Sequence, residues 1–262
     1  MGEGATLTVV GSGSSGNGYI LQAGGEILLI EAGMPFIEVK KILNFDISNI
    51  ICCISTHCHK DHFGYAKEYD KAGIPILALP ETIEKERNKL MFAKPITIGK
   101  RYRMGGFDIL PFPVMHDVPC VGFIITHKDT GRILFATDTY ALARWERDAG
   151  GREYVIPYTF TGINHWMLEA NYSDRILRRN IDNGNITEVF RKRLMTSHMS
   201  IHNCIDTLNR MDLSRTHDIM LIHLSDGNAD ERDFVKRVRE ATGKRTYVAK
   251  SFLTIDFNLN II

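Results

Sequence analysis

Apolar and polar positions alternate in short runs that predict strands in the first part of the chain: Thr6–Val10, Gly18–Leu21 and Ile27–Ile30, the last two separated by the turn-forming Ala23-Gly24-Gly25. A helix is predicted from about Pro35 to Leu43, and Ile50–Ser55 is an apolar run suited to a strand covered on both faces. A helix from about His62 to Ala72, a strand at Ile74–Ala78 and a helix from Pro80 to about Leu90 follow. Residues 96–137 alternate strand-like segments with glycine turns, among them Phe107–Pro113, Val121–Thr126 and Ile133–Ala136. Beyond His165 the order is strand (Trp166–Ala170), helices (Ser173–Asn180, Ile186–Leu194, His202–Met211), strand (Ile219–His223) and helix (Asp230–Thr242). In that last helix Phe234, Val235 and Val238 share one face, and Gly243 sits at the expected stop. Mixed strands with helices on both outsides predict an α/β (α+β) fold of two sheets between helical layers. No repeat or low-complexity segment marks a linker, so residues 1–262 read as one domain.

Composition narrows the function. The 262 residues are 44% hydrophobic and 24% charged, and 32 Lys+Arg against 31 Asp+Glu leave a net charge of +1. Binding to DNA by bulk electrostatics needs a large basic excess and is excluded, while a local basic groove is not. No apolar run approaches the roughly 18 residues of a membrane-spanning helix, and Met1-Gly2-Glu3-Gly4 lacks the basic-then-apolar layout of a secretory signal. The expectation is a cytoplasmic protein without a membrane partner. The five cysteines (Cys52, Cys53, Cys58, Cys120, Cys204) include no CxxC pair and are read as reduced thiols.

Two segments carry candidate chemistry. Gly11-Ser12-Gly13-Ser14-Ser15-Gly16 matches GxGxxG after a strand, but a dinucleotide site needs a helix directly after the glycines, and Asn17-Gly18-Tyr19-Ile20-Leu21 reads as a strand. A serine-lined loop beside an active site, or a plain turn, fits better. His57-Cys58-His59-Lys60-Asp61-His62 places four potential ligands in six residues. At a strand end residues 57 and 59 point the same way, so both imidazoles reach one cation, and Asp61 and His62 can face a second. Imidazole and carboxylate suit zinc, manganese or iron, so the donor set leaves the metal open.

At these residues the chain resembles the metallo-β-lactamase-fold hydrolases, whose HxHxDH motif it carries. The resemblance implies a four-layer αββα sandwich and further ligands at strand ends: His116 in Val114-Met115-His116-Asp117, Asp138 in Ala136-Thr137-Asp138-Thr139, and His223 in Leu221-Ile222-His223-Leu224. One metal would take His57, His59 and His116, the other Asp61, His62 and His223, with Asp138 bridging two divalent cations, Zn2+ or Mn2+. A water shared by such a pair is available as hydroxide near neutral pH, which implies hydrolysis at phosphoryl or acyl centres. The family usually has Asp where this chain has Glu31, in Leu29-Ile30-Glu31-Ala32-Gly33. That position supports ligand histidines by hydrogen bonding rather than by binding metal.

Within the superfamily, residues 11–17, Leu168-Glu169-Ala170-Asn171, Ser197-His198-Met199-Ser200 and His223-Leu224-Ser225 look like the YycJ/WalJ-like branch, related to RNase Z and β-CASP nucleases. No β-CASP insertion fits between Asp138 and His223. The resemblance implies a single-strand exonuclease, with Asp61 at the reaction centre and Glu169 with His198 supplying a proton to the leaving oxygen. A phosphodiester's alkoxide leaves poorly until protonated. Alternatively, Glu169 caps the helix near Ser173 and His198 is a loop residue. Cyclic-nucleotide phosphodiesterase, lactone or thioester hydrolase, and a regulatory binding module with a vestigial metal site are the competing functions. Nucleic acid or a nucleotide is the expected partner. Arg175, Arg178 and Arg179 share a helical face that either contacts a nucleic-acid backbone or is simply solvated, and Trp145 between Arg144 and Arg147 either stacks on a base or anchors the unmatched 140–164 segment. His127, His165 and His202 are read as structural or surface residues.

Overall fold

The computed structural model describes residues 4–85, 89–148 and 150–259. In its first part β1 (Thr6–Gly11), β2 (Gly18–Ala23), β3 (Glu26–Ile30), β4 (Ile50–Ile54), β5 (Ile76–Ala78) and β6 (Ala93–Pro95) pair in order, and the C-terminal strand Thr254–Asp256 pairs with β1 to complete a seven-stranded sheet. Helices α1 (Phe36–Ile42), α2 (Lys60–Phe63), α3 (Ala66–Lys71) and α4 (Pro80–Lys85) occur along this part of the chain. Next come β7 (Tyr102–Met104), β8 (Phe107–Pro113), β9 (Val121–His127) and β10 (Gly131–Ala136), a separate hairpin of β11 (Ala143–Arg147) and β12 (Glu153–Pro157), and β13 (His165–Glu169). The chain continues through α5 (Asp174–Asp182), α6 (Glu188–Ser197), α7 (Ile201–Asn209), β14 (Asp218–Ile222), α8 (Glu231–Thr242), β15 (Arg245–Val248) and β16, the Thr254–Asp256 strand. The second seven-stranded sheet runs β15-β14-β13-β10-β9-β8-β7.

The period-two side-chain pattern makes the layers. Leu28 and Ile30 of β3, Cys52 and Ile54 of β4, Ile133 and Phe135 of β10, and Met220 and Ile222 of β14 point into one shared core between the sheets. The alternate positions of β3 and β4 (Ile27, Leu29, Cys53) meet Phe36, Val39, Phe63 and Tyr69 of α1–α3, while Leu134, Ile219 and Leu221 meet Leu208 of α7 and Phe234 of α8. Strands buried on both faces belong to parallel sheets covered by helices, and β3, β4, β5 and β6 are parallel, as are β10, β13, β14 and β15. Helices α5 and α6 share a smaller cluster of Tyr172, Leu177 and Leu194, with Ile181 and Ile186 against it.

Several elements differ from the sequence expectation. The helix expected over 62–72 is two pieces, α2 and α3, because the chain turns at Gly64, whose absent Cβ would lie 2.3 Å from the Lys60 carbonyl oxygen. Helix α4 is described over Pro80–Lys85; of its predicted continuation to about Leu90, residues 86–88 lie outside the described residues and 89–90 are not helical. The β11–β12 hairpin has mostly exposed side chains, Trp145 among them at 59% exposure, so it shows no apolar and polar alternation to read. Strands β6, β15 and β16 are short, and all three are sheet edges. Among the described residues no helix is long and apolar enough to cross a membrane.

Candidate metal centre

The parallel strands deliver the candidate side chains at their carboxyl ends, where open α/β sheets bind ligands. Glu31 follows β3, His57 follows β4, Asp138 follows β10, Glu169 ends β13 and His223 follows β14. Three of these sit in the left-handed region: Glu31 at φ 67°, Asp138 at 50° and His223 at 55°. Such conformations cost about 1–3 kcal/mol each and persist where surrounding structure imposes them. Asp and His tolerate the region better than most side chains.

All seven predicted ligand positions converge, drawn from both sheets. His57, His59 and His116 each offer a nitrogen within 4.8 Å of the others, as do the donor atoms of Asp61, His62 and His223, and those of His57, His62 and Asp138. Asp138 lies between the groups: its Oδ2 is 2.6 Å from His62 Nε2 and 3.9 Å from His57 Nε2, and its Oδ1 is 3.4 Å from His223 Nδ1. His57 and His62 are fully buried and Asp138 nearly so. A carboxylate this deep is stable only beside positive charge, from imidazolium or from a metal cation.

His57 has the orientation a metal ligand needs, with one ring nitrogen tied by a supporting group and the other unpartnered, and His116 and His223 each have Nδ1 held by a neighbouring oxygen. His57 Nδ1 is 2.9 Å from Thr56 Oγ1, and its buried Nε2 has no hydrogen-bond partner among the described residues. His116 Nδ1 donates to the Ser197 carbonyl at 3.2 Å, and its Nε2 is 3.3 Å from His59 Nδ1. His223 Nδ1 is 3.1 Å from Glu169 Oε1, and its Nε2 is 3.4 Å from Asp61 Oδ2. Burial, with the His62 imidazole beside it, holds His57 well below the usual histidine range. Burial acts the same way on His62, but the Asp138 and Glu31 carboxylates outweigh it and hold His62 well above that range.

Glu31 lies against His62 and the segment that leads into His57. Its carboxylate accepts from Thr56 Oγ1 at 2.6 Å, Ser55 Oγ at 2.9 Å and the Thr56 amide at 3.2 Å, and stands 3.3 Å from His62 Nδ1. The glycine-rich loop closes the other side without forming a dinucleotide cradle, since β2 follows it directly. Ser12 Oγ accepts the His223 amide at 2.9 Å, and Asn17 Nδ2 donates to the Asp61 carbonyl at 3.2 Å. Gly33 permits this closure, because a Cβ there would lie 1.7 Å from the Asp61 carbonyl oxygen. Gly33→Ala is therefore expected to destabilise the fold by about 3 kcal/mol or more, the upper end of overpacking costs. Denaturant titration reads this, and an unshifted midpoint contradicts it.

Glu169 and His198 are brought together. The chain after α6 runs beside the chain after β13, with the Ile201 amide on the Tyr172 carbonyl and the Asn171 amide on the Met199 carbonyl. That places His198 Nδ1 2.7 Å from Glu169 Oε1 and 3.1 Å from Asp138 Oδ1. Glu169 is fully buried, and its Oε2 accepts the Thr139 amide at 2.9 Å and the Met199 amide at 3.3 Å. It is no cap for the helix near Ser173. Burial opposes the charged imidazole, but Glu169 and Asp138 push His198 up to about 10.

Sequence reasoning missed Asn17 as a contact of His62, with Nδ2 3.1 Å from Nε2, and Asp117, whose Oδ1 is 3.0 Å from His116 Nε2 and 3.6 Å from His59 Nε2. Asp117 stood beside a predicted ligand, the only signal available. His165 is buried against Asp218, His127 against Phe107, and His202 is exposed, all away from the centre.

Residues 11–171 match the Metallo-beta-lactamase superfamily. The chain is 27% identical over 238 residues to the exodeoxyribonuclease WalJ of Streptococcus pneumoniae, covering 86% of this chain and 83% of that protein. It is 24% identical over 261 residues to the exodeoxyribonuclease YycJ of Bacillus anthracis, covering 92% and 91%. Among solved structures, the metallo-beta-lactamase fold protein YhfI from Bacillus subtilis superposes with a TM-score of 0.68 at 16% identity, over 97% of this chain and 100% of that one.

Proposed function

The chain belongs to the metallo-beta-lactamase superfamily of metal-dependent hydrolases, and from that premise we propose that it cleaves phosphodiester bonds in single-stranded nucleic acid, as an exonuclease. The reading takes His57, His59 and His116 as the holders of one divalent cation, Asp61, His62 and His223 as the holders of another, and Asp138 as shared between them. When bound, zinc or manganese ions there supply Lewis acidity that activates water and neutralises charge on phosphate oxygens.

The observation that carries the phosphodiester reading is the 2.7 Å contact between Glu169 and His198 at the edge of the centre. Glu169 engages Nδ1 and fixes the ring, leaving Nε2 to hold the transferable proton. As the water oxygen joins phosphorus and the ester P–O bond breaks, His198 protonates the departing oxygen and is reloaded by the proton water releases. Thioester hydrolysis needs such a donor less, because a thiolate departs without being protonated. The names of the WalJ and YycJ relatives favour DNA as the polymer.

The test is digestion of an end-labelled single-stranded DNA oligonucleotide with added manganese or zinc, with His59→Ala protein as the contamination control. Expected are mononucleotides or a ladder whose label gives the polarity, absent from the variant and after chelation. A protein carrying its metals that leaves the oligonucleotide intact overturns the reading, and turnover of a cyclic nucleotide or a lactone in its place names the successor.

A further inference from the structure

A second cavity adjoins the cleft at the metal centre. The first, of about 290 Å³, is lined by Asp138, His198, His223, Ser225, Arg193 and Phe190 among others. The second, of about 570 Å³, is lined by Asn180, Asn185, Ile186, Thr187, Phe190 and Asn228 together with Gly227. Phe190 is common to both. We infer that the second cavity is a subsite for the nucleotide next to the scissile phosphodiester, with Phe190 as the surface on which its base stacks. The inference rests on the nucleic-acid reading above and deepens it.

Helix α6 supplies the platform. Phe190 and Leu194 are four residues apart and share a face, yet Leu194 is buried in the cluster with Tyr172 and Leu177 while Phe190 is 46% exposed. The apolar stripe thus runs past the end of its own small core into an open cleft. Its exposed neighbours on the helix include Glu188, Lys192 and Arg193, and Phe190 belongs to none of the buried apolar clusters among the described residues. An aromatic face accepts any base, which suits a substrate bound without regard to sequence.

The rest of the surface divides by chemistry as a nucleotide does. Arg193 opens onto the first cavity and reaches towards Asp117, at 3.9 Å, beside His59 and His116, where an exposed guanidinium can meet phosphate charge. Among the described residues no charged side chain lines the second cavity, whose amides and hydroxyl offer donors and acceptors to a base edge. A polar floor joins the two: Asn180 Nδ2 donates to Asn228 Oδ1 at 2.9 Å, and Asn228 Nδ2 donates to Ser225 Oγ at 3.2 Å. A cyclic mononucleotide or a lactone would use only the first cavity, whereas a chain of two or more nucleotides uses both.

The experiment compares steady-state kinetics of the metal-loaded wild type, Phe190→Ala and Phe190→Tyr on a thymidine dinucleotide, a thymidine tetranucleotide and methyl p-nitrophenyl phosphate. Expected are a lower KM for both oligonucleotides than for the small diester in the wild type, a rise in the oligonucleotide KM of about 5- to 100-fold in Phe190→Ala with kcat within about threefold, and recovery in Phe190→Tyr. A KM unaffected by Phe190→Ala, or raised equally for the small diester and the tetranucleotide, overturns the subsite. Wild-type protein that hydrolyses neither oligonucleotide nor the small diester overturns the phosphodiesterase reading instead.

Discussion

Asp138→Asn is expected to leave the protein folded, to lower its bound divalent metal below that of the wild type, and to reduce turnover of single-stranded DNA by roughly a thousandfold. One carboxylate touches imidazoles from both proposed metal sites, His62 at 2.6 Å and His57 at 3.9 Å on Oδ2, with His223 at 3.4 Å and His198 at 3.1 Å on Oδ1. Removing its charge while keeping its shape withdraws the group that joins the sites. Metal-ion catalysis supplies several kcal/mol of transition-state stabilisation, and about 4 kcal/mol is three decades of rate. Asn also tolerates left-handed backbone, so the 50° φ at this position gives no separate reason for misfolding. Metal analysis of the purified variant beside a melting curve separates the two causes. Wild-type metal content with undiminished turnover would remove Asp138 from the centre.

His198→Ala is expected to slow cleavage of an oligonucleotide by about 10²–10⁴-fold, the range for a positioned general acid, while metal content stays at the wild-type level. The loss should shrink at least tenfold on a diester whose leaving group is p-nitrophenolate, since that anion departs without being protonated. Glu169→Gln should reproduce part of the effect by weakening the 2.7 Å contact that orients the ring. Its consequences are broader, because Glu169 Oε1 is also 3.1 Å from His223 Nδ1. The double variant should therefore lose less than the two single losses multiplied, as coupled neighbours do. Equal losses on both diesters would mean that His198 supports the metals rather than the leaving oxygen.

What could be read from the sequence follows from how each feature is encoded. Strands β3, β4, β10, β13 and β14 are apolar on both faces and short, so their existence and their ends were visible, and the ends are where the centre forms. The six-residue His57–His62 motif is local and announces itself. His116, Asp138 and His223 are single residues, legible only after the resemblance gave them a reason to be sought. Phe190 was invisible because its meaning lies in what it fails to pack against. The β11–β12 hairpin escaped for a related reason: with most of its side chains exposed, no burial contrast distinguishes its strands from loop.

The centre draws Glu31, His57, His59, Asp61 and His62 from the half of the chain that builds the first sheet, and His116, Asp138 and His223 from the half that builds the second. Cations held there would bind the folded chain and not the unfolded one, so their occupancy and the folding equilibrium become thermodynamically linked. Free metal at a hundred times its dissociation constant adds about 2.7 kcal/mol per site through mass action. An unfolding midpoint for this protein then has meaning only at a stated concentration of free metal, and starvation for that ion would act on the amount of folded protein as well as on its chemistry.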